Sequence, residues 1–329
     1  MGYIDLHCDT LLLFARPHHT GDLRRNDLQV DLDKLARGGA YAQFFAIFMM
    51  PEEFYAHLQI EPLADDVYYE RLYRAFRQQF IDEDDTAEAT IARFAGNYEQ
   101  YAANRKAGKL SAFLTIEDGR LLNGNLDTLD QWYTQGVRLI TLTWNDENSM
   151  GYPQSSDPQL MQLGLKPFGI ETVQRMNELG IIVDVSHLSD GGFWDVVEHS
   201  NRPFVASHSN SRTLSPHPRN LTDEMITALG NKGGLAGLNF GGNFLNETIA
   251  DDRSTVKQMV RHIQHMVDLG GVESVALGSD FDGVPRNLEI DDASQVPLLA
   301  ERLHQHGFHP SDIDKIMFGN VERLIRETL

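Results

Sequence analysis

The sequence is poor in cysteine and in basic residues. Its single cysteine, Cys8, has no partner for an internal disulfide, which fits a reducing compartment, and we expect a cytoplasmic protein. The 28 lysines and arginines are outnumbered by 48 aspartates and glutamates. The resulting net charge of −20 repels phosphate groups, so we expect neither nucleic acid nor an anionic membrane surface as a partner.

Long hydrophobic runs and several familiar catalytic motifs are also missing. No stretch of 18 apolar residues occurs, and the first residues lack the basic and apolar regions of a secretory signal, so we expect no membrane span and no signal peptide. The sequence contains no P-loop, no G-x-S-x-G, no C-x-x-C and no H-E-x-x-H. These absences disfavour NTPases, serine hydrolases and metalloproteases whose ligands share one helix.

Hydrophobic residues nevertheless make up 41% of the 329 residues, enough for a large core. Short apolar runs alternate with amphipathic stretches, which is typical of β–α–β units and a parallel sheet. The eight predicted strands are Tyr3–His7, Ala40–Phe48, Leu110–Ile116, Val137–Thr143, Ile181–Val185, Pro203–Ala206, Gly234–Leu238 and Ser274–Leu277. Eight such units predict an α/β fold of the (β/α)8, or TIM, barrel type, with a doubly wound open sheet as the alternative.

The segment between the second and third predicted strands, 51–109, is too long for a simple connection. It is rich in residues that favour helices, and we interpret it as a helical insertion after strand 2 rather than as a second domain. The chain is therefore predicted to be a single barrel domain spanning residues 1–329.

Polar residues that could bind metal stand at the end of the first predicted strand. Because side chains alternate along a strand, His7 and Asp9 should face one side and Cys8 the other. An imidazole beside a carboxylate is half of a metal site, although the pair on its own could equally be a simple hydrogen bond.

Four further predicted strands end in comparable residues. Glu117, His187, His208 and Asp280 each follow an apolar strand. In a closed barrel the carboxyl ends of the strands converge on one mouth, where barrel enzymes place their chemistry. The convergence therefore predicts a metal site rather than a coincidence of unrelated polar residues.

The ligand inventory favours two metal ions. Three histidines, one aspartate and one glutamate exceed the four positions of a tetrahedral zinc ion. A glutamate can bridge two ions about 3.5–4 Å apart, and a water shared by such ions has a pKa lowered towards about 7. The expected nucleophile is accordingly a hydroxide that bridges two divalent ions.

Several motifs together resemble the membrane (renal-type) dipeptidase family of the amidohydrolase superfamily. The order and spacing of these motifs hold across nearly the whole chain. They are Asp5-Leu6-His7-Cys8-Asp9-Thr10, Gly136-Val137-Arg138-Leu139-Ile140-Thr141-Leu142-Thr143, Asp184-Val185-Ser186-His187, Ser207-His208-Ser209, Arg219-Asn220, Gly278-Ser279-Asp280-Phe281-Asp282-Gly283, and Gly319-Asn320 with Arg323.

The resemblance implies a binuclear zinc site. His7 and Asp9 would bind one zinc ion. His187 and His208 would bind the second, and Glu117 would bridge the two.

The resemblance also implies a substrate and a mechanism. Asp280 would be the general acid/base, and Arg219 would hold the free carboxylate of a dipeptide, with a surface salt bridge to Asp223 as the alternative reading of that arginine. The family cleaves dipeptides, in many cases L,D-dipeptides, and its members are commonly homodimers. Asp282 is the rival of Asp280, but a hydrogen bond within its own turn is the expected role.

Two positions depart from the family pattern. The animal members carry a substrate-contacting histidine where this chain has Trp144, so the substrate-binding or electrophilic role is expected to involve Trp144 itself, Asn145 or Asn148. Asp118 replaces a small residue after the bridging glutamate, and an added carboxylate beside the metals could alter the preferred substrate charge.

Two other functions compete with a dipeptidase. Another metal hydrolase of the superfamily, such as a deacetylase or a lactonase, could use the same site, but many of those bridge their metals through a carbamylated lysine. The only nearby lysine, Lys109, is at the wrong end of its strand. A non-catalytic metal or peptide binder would have no need for the additional acid/base Asp280.

Overall fold

The computed structural model describes residues 2–16, 19–58, 60–81 and 90–329. Nine strands form one sheet, and every pairing in it is parallel. The strands are β1 (Tyr3–Cys8), β2 (Ala40–Phe48), β3 (Ala92–Phe94), β4 (Leu110–Glu117), β5 (Val137–Thr141), β6 (Ile182–Asp184), β7 (Val205–Ala206), β8 (Leu235–Leu238) and β9 (Val275–Leu277).

Eight of these strands close into a barrel. The order around it is β2-β1-β9-β8-β7-β6-β5-β4, and a further pairing of β2 with β4 joins the two edges. An open doubly wound sheet would leave those edges unpaired, so that alternative is wrong and the predicted (β/α)8 barrel is confirmed. All eight predicted strands form, although several are shorter; the sixth contains only Val205–Ala206.

The ninth strand, β3, was not predicted from the sequence. Ser111 of β4 pairs with Ala42 on one side and with Arg93 of β3 on the other. β3 therefore lies beside the beginning of β4, on the flank where β5 pairs farther along from Leu114 onward. Three residues are too few to show a hydrophobic period in a sequence.

Fourteen α-helices lie in the described part of the chain. They are α1 (Leu32–Gly38), α2 (Glu52–Leu58), α3 (Asp65–Phe80), α4 (Tyr98–Lys106), α5 (Leu126–Thr134), α6 (Pro158–Met161), α7 (Pro167–Leu179), α8 (Asp190–His199), α9 (Asp223–Asn231), α10 (Gly242–Leu245), α11 (Val256–Gly270), α12 (Pro297–Gln305), α13 (Pro310–Asp314) and α14 (Asn320–Thr328). The segment 51–109, apart from residues 59 and 82–89, which lie outside the described residues, contains α2, α3, β3 and α4.

Local sequence explains where the main outer helices begin and end. The side chain of Thr255 accepts a hydrogen bond from the backbone N–H of Gln258, and the side chain of Gln258 accepts one from the backbone N–H of Thr255, which forms a capping box for α11. Pro167 occupies the first turn of α7, and Gly180, at φ 77°, ends that helix in the left-handed conformation.

The barrel interior is filled by apolar side chains, and polar side chains gather at the carboxyl ends of the strands. One buried cluster takes at least one residue from each of the eight barrel strands: Ile4, Leu6, Ala42, Phe44, Phe113, Leu139, Ile182, Val205, Leu235 and Ala276. A larger cluster packs the outer faces of the strands against the helices. Because the interior is filled by side chains, polar chemistry is confined to the carboxyl ends of the strands.

No helix in the described ranges combines the length and hydropathy that crossing a bilayer requires.

Candidate metal centre

The predicted metal-binding residues come together at the carboxyl ends of the strands. His7 is in β1 and Asp9 directly follows it, while Glu117 is the last residue of β4. His187 follows β6 and His208 follows β7. All five side chains are buried, with at most 9% of any residue exposed, so their polar atoms require partners other than water.

Glu117 lies at the centre of this group and faces it with both carboxylate oxygens. Its Oε1 is 3.0 Å from Nε2 of His187 and 3.4 Å from Nε2 of His208. Its Oε2 is 3.6 Å from Nε2 of His7, which in turn is 3.6 Å from Oδ1 of Asp9. Each oxygen of Glu117 therefore faces a different set of ligand atoms, as a carboxylate that bridges two ions must.

The hydrogen bonds of two histidines fix which ring nitrogen is free. Nδ1 of His187 is 3.0 Å from Oδ1 of Asn145, an oxygen that also accepts from the amide of Gln154 and can only accept. His187 therefore carries its proton on Nδ1, and its Nε2 presents a lone pair to the centre.

His208 is fixed in the same way by a buried relay. The hydroxyl of Ser207 donates to Oδ2 of Asp184 at 2.6 Å, so its oxygen accepts from Nδ1 of His208 at 2.7 Å. The Nε2 atoms of His208 and His187 are then both unprotonated, yet they lie 3.1 Å apart. Two lone pairs facing each other at this distance repel unless both point at a cation, so the residues present fit a metal ion.

The other half of the centre shows the same fit. Both ring nitrogens of His7 and Oδ1 of Asp9 are buried and have no hydrogen-bond partner among the described residues. The described residues contain three overlapping groups that could each hold an ion: His7 with Asp9 and Glu117, His187 with His208 and Glu117, and His7 with His208 and Asp280. Glu117 is shared by the first two groups, in agreement with a bridging role.

The pKa values follow from burial and from the crowding of charges. Burial by itself would lower the pKa of His7, but the carboxylates of Glu117 and Asp9 outweigh it and raise that pKa to about 10. Burial, followed by the charge of Asp9, raises the pKa of Glu117 well above its usual value. Burial lowers the pKa of His187 and of His208, so both rings are neutral, as metal ligands must be.

Asp184 is a buried carboxylate to which the sequence reasoning gave no role. Its Oδ1 accepts from the backbone N–H groups of Ser186 and Ser207, and its Oδ2 accepts from the hydroxyls of Thr141 and Ser207. Four hydrogen bonds hold the charge beneath the centre, where it orients His208 through Ser207. The signal was available, since an aspartate that closes an apolar strand is costly to bury without such partners.

Asp280 lies on the rim beside the predicted ligands. Its Oδ1 is 3.7 Å from Nε2 of His7, and its Oδ2 accepts from the amide of Asn239 at 2.7 Å. Burial raises the pKa of Asp280 to about 6, against the opposing charge of His7. Asn239, which the sequence reasoning did not identify, thus fixes one oxygen and leaves the other towards the centre.

Asp282 is turned away from the centre, and its predicted bond within its own turn is wrong. Its Oδ2 accepts from the hydroxyl of Thr10 at 2.6 Å, and its Oδ1 accepts from the backbone N–H of Gln29 at 2.7 Å. The carboxylate therefore ties the loop after β9 to two segments from the beginning of the chain, which no local sequence rule could indicate.

Arg219 is buried beside the centre, and the alternative surface salt bridge to Asp223 is wrong. Asp223 instead contacts His265 at 2.8 Å, while the guanidinium of Arg219 donates to Oγ of Ser209 at 3.1 Å and to the carbonyl of His208 at 3.2 Å. Its Nε has no hydrogen-bond partner, and no described carboxylate forms an ion pair with it. A buried cation with a spare donor is suited to an anionic ligand.

The residues after β5 lie across the mouth from Asp280, which follows β9. Trp144 is half-buried, and its ring centre is 5.9 Å from that of His187. Asn145 is exposed and directs its carbonyl oxygen to His187. Asn148 donates to Asp118 at 3.0 Å and to the carbonyl of Leu142.

Asp118 adds no free charge to the centre, contrary to expectation. Its carboxylate is 3.0 Å from the guanidinium of Arg120 and accepts from the Asn148 amide. Arg120 also pairs with Asp65 of α3 at 2.9 Å. The ion pairs neutralise Asp118 and bind it to the 51–109 segment instead of to the metal ligands.

Comparison with known proteins identifies the family to which the chain belongs. All 329 residues match the family model described as membrane dipeptidase (peptidase family M19). The chain is 36% identical over 218 residues to an uncharacterized protein in the pqqA 5′ region of Klebsiella pneumoniae, covering 64% of this chain and 79% of that one. It is 35% identical over 230 residues to the uncharacterized dipeptidase C965.12 of Schizosaccharomyces pombe, covering 69% of this chain and about half, 55%, of the yeast protein.

Two solved structures cover the whole chain. A metallo peptidase from Rhodobacter sphaeroides, bound to a phosphinate mimic of the dipeptide L-Ala-D-Ala, superposes with a TM-score of 0.84 at 26% identity, covering 100% of this chain and 99% of the other. The dipeptidase AC, also of family M19, superposes with a TM-score of 0.82 at 26% identity, covering 100% and 98%.

Proposed function

We propose a substrate and a mechanism for this chain, which belongs to the membrane dipeptidase family (peptidase family M19) and is thus a metallo-dipeptidase that hydrolyses peptide bonds. It cleaves dipeptides with a free carboxyl end at a two-zinc site, with Asp280 as general acid/base. The observation that carries the proposal is the position of Glu117. Its two oxygens face two different sets of ligand atoms in one buried centre.

The chain offers a complete ligand set for both ions. His7 and Asp9 would hold one, His187 and His208 the other, and Glu117 both. Imidazole nitrogens mixed with carboxylates suit zinc. When bound, two such ions supply a water nucleophile that is active near neutral pH and polarise the carbonyl of the substrate.

Asp280 is placed to move the proton of the reaction. Its free oxygen, on the side of His7, can accept the proton of the attacking water and then deliver it to the leaving amine. The amide of Asn239 holds the other oxygen and prevents the carboxylate from rotating away. A buried carboxyl with a raised pKa is suited to both steps, because it binds a proton and releases it again.

Arg219 is suited to bind the carboxylate of the substrate. A guanidinium can form two parallel hydrogen bonds to a carboxylate, and this one is buried with no carboxylate of the described residues within ion-pair distance. The phosphinate mimic of L-Ala-D-Ala in the Rhodobacter sphaeroides peptidase supports L,D-dipeptides as substrates of this chain as well.

An alternative metal hydrolase with a carbamylated lysine receives no support from β4. The amine of Lys109, at the opposite end of that strand from Glu117, donates to the carbonyl of Thr90. For the proposed bridging position, β4 instead offers the carboxylate of Glu117.

The test of the proposal compares dipeptides with their amides. Wild-type protein, loaded with zinc, should hydrolyse L-Ala-D-Ala or L-Ala-L-Ala and should turn over the corresponding C-terminal amides poorly. Arg219→Met removes the charge but keeps much of the side-chain volume, so it should raise KM for the acids by about 10²-fold, as loss of a buried charged hydrogen bond does. Equal turnover of acids and amides by the wild type would refute the role of Arg219, and no hydrolysis of any dipeptide would refute the function.

A further inference from the structure

Three aromatic side chains form a continuous surface at one side of the barrel mouth; we call Phe48, Phe54 and Trp144 the aromatic wall. The ring centres of Phe48 and Trp144 are 5.0 Å apart, those of Phe54 and Trp144 5.6 Å, and those of Phe48 and Phe54 6.1 Å. These are contact distances for aromatic pairs, so the three rings form one apolar unit.

The wall is both close to the predicted ligands and open to solvent. The ring of Trp144 is 5.9 Å from the ring of His187. Phe48 is buried and supports the other two rings, whereas 37% of Phe54 is exposed and Trp144 is half-buried. A partly exposed apolar surface beside a polar catalytic centre is suited to an apolar part of a ligand.

The order of the strands places the wall opposite the groups that would bind the carboxyl half of the substrate. Phe48 ends β2 and Trp144 follows β5, so they flank β4, which carries Glu117. Arg219 and Asp280 belong to the loops after β7 and β9, on either side of β8. Since β4 and β8 are four positions apart in a ring of eight, the two groups face each other across the mouth.

The chemistry of a dipeptide then determines how the substrate is oriented in the mouth. This step rests on the proposed function. The leaving amine and the free carboxylate belong to the same, carboxyl-terminal residue. Asp280 would protonate that amine and Arg219 would bind that carboxylate, and both lie on the β7–β9 side. The amino-terminal residue must therefore extend from the scissile carbonyl towards β2 and β5.

We propose that the aromatic wall is the subsite for the amino-terminal side chain and that it selects dipeptides in which this side chain is aromatic or large and aliphatic. Trp144 is central to the subsite because it contacts both phenylalanines and is also nearest to His187. The tryptophan ring offers a broad apolar face to the ligand, with a single N–H donor at its edge.

The test is a pair of dipeptide series with the variable residue at either end. One series is X-Ala and the other Ala-X, with X as Ala, Leu or Phe and the carboxyl-terminal residue made in both L and D forms. We expect kcat/KM of the zinc-loaded wild type to be about 10-fold or more higher for Phe-Ala than for Ala-Ala, the gain expected from burying such a side chain. The gain should lie mainly in KM, and the Ala-X series should not show it.

Two variants and a matched control isolate the wall. Trp144→Ala should lower the ratio of Phe-Ala to Ala-Ala towards one. Phe54→Ala should lower it as well; it gives an independent reading, because Phe54 belongs to α2 and contacts the other two rings of the wall. Trp194 of α8, which is 42% exposed and contacts Phe193, is the control, and Trp194→Ala should leave the ratio unchanged.

The outcomes separate the subsite from the function. Hydrolysis of Ala-Ala with no preference for Phe-Ala, or a preference that survives both wall variants, would overturn the subsite and leave the dipeptidase intact. A preference confined to the Ala-X series would overturn the orientation of the substrate. No hydrolysis of any member would overturn the function itself.

Discussion

Two of the residues assigned to the centre have an unusual backbone conformation. His187 has φ 68° and Asp280 has φ 60°, both in the left-handed region that side chains other than glycine rarely adopt. Such a conformation costs roughly 1–3 kcal/mol and persists only where the surroundings impose it. Both residues lie three positions after the end of a barrel strand, His187 after β6 and Asp280 after β9.

The same conformation makes Asp280→Asn a clean test of proton transfer. Asparagine tolerates left-handed backbone and is almost isosteric with aspartate, so the fold and most of the metal should be retained. An amide cannot accept and return a proton, so we expect kcat for dipeptide hydrolysis to fall by roughly 10²–10⁴-fold. The measurements are kinetics, elemental analysis and thermal melting of the same preparation.

Asp282→Asn is the matched comparison, two residues farther along and also at positive φ. It removes charge from the hydrogen bonds to Thr10 and Gln29, so it should lower the melting temperature more than Asp280→Asn does and lower kcat less. An Asp280→Asn enzyme with full metal content and a kcat near that of the wild type would exclude Asp280 as the acid/base.

At the scale of secondary-structure elements, the backbone that follows β7 packs against two glycines, one in the neighbouring strand β8 and one directly after β9. A Cβ added at Gly278, which follows β9, would lie 1.7 Å from the carbonyl oxygen of Ser207, and one added at Gly237 of β8 would lie 1.9 Å from it. Neither contact can exist, so the backbone that carries Ser207 and His208 can approach β8 and β9 only because these two residues have no side chain.

Gly278→Ala should therefore act on the metal centre through the backbone. The added methyl group must displace Ser207 and with it the adjacent His208, a proposed ligand. We therefore expect weaker retention of the ion that His187 and His208 would hold, and a lower melting temperature. Equilibrium dialysis against a chelator series, with elemental analysis, measures the retention.

Gly319→Ala is the control for this prediction. Gly319 is helical, with φ −61°, and an added Cβ would meet its nearest atom at an ordinary 3.4 Å. The Gly319→Ala variant should retain metal as the wild type does, and its melting temperature should match that of the wild type. If Gly278→Ala behaves in the same way, the dependence of the ligand position on this glycine is wrong.

On the scale of the whole molecule, the centre joins the first and the last strand of the barrel in chain order. His7 lies in the first strand and Asp280 follows the last, yet their side chains are 3.7 Å apart. Bound ions would cross-link segments from β1, β4, β6 and β7 and also neutralise the crowded carboxylates of Asp9 and Glu117. Metal binding and global stability should accordingly be linked.

Removal of the metal should lower the melting temperature of the wild type by about 5 °C or more, since each of two ions at 100 times its Kd stabilises the fold by about 2.7 kcal/mol. Added Zn²⁺ should restore it. Differential scanning calorimetry before and after chelation, with two zinc ions per chain found by elemental analysis beforehand, checks both points.

Glu117→Gln tests whether one residue serves both ions. Because the amide cannot bridge them as a carboxylate does, the variant should lose affinity for both at once, and chelation should shift its melting temperature less than that of the wild type. Loss of only one ion, or a wild-type melting temperature that chelation leaves unchanged, would contradict the binuclear cross-link.

The sequence by itself determined the eight strands of the barrel and the identity of the groups at their ends. β1, β2 and β4 could be predicted because each is a run of apolar residues whose period is local. Glu117 and Asp280 could be singled out because each is an acidic residue at the end of such a run. Burying a carboxylate there is unfavourable, so its presence indicates a functional role. The alternation of strands and helices then predicted the barrel, since few folds accommodate that order.

Only the tertiary structure decided which groups face each other. The partners of Asp282 are more than 250 residues distant in sequence, and Asn145 orients His187 across 42 residues. Arg120, which pairs with Asp118, is also paired with Asp65 of α3, 55 residues away. Strand β3, and the close approach of Gly237 and Gly278 to Ser207, likewise could not be predicted from local sequence. These contacts depend on the closure of the barrel, which fixes distances between segments that no local pattern relates, and hydrogen bonds and charges are sensitive to distances of a few ångströms.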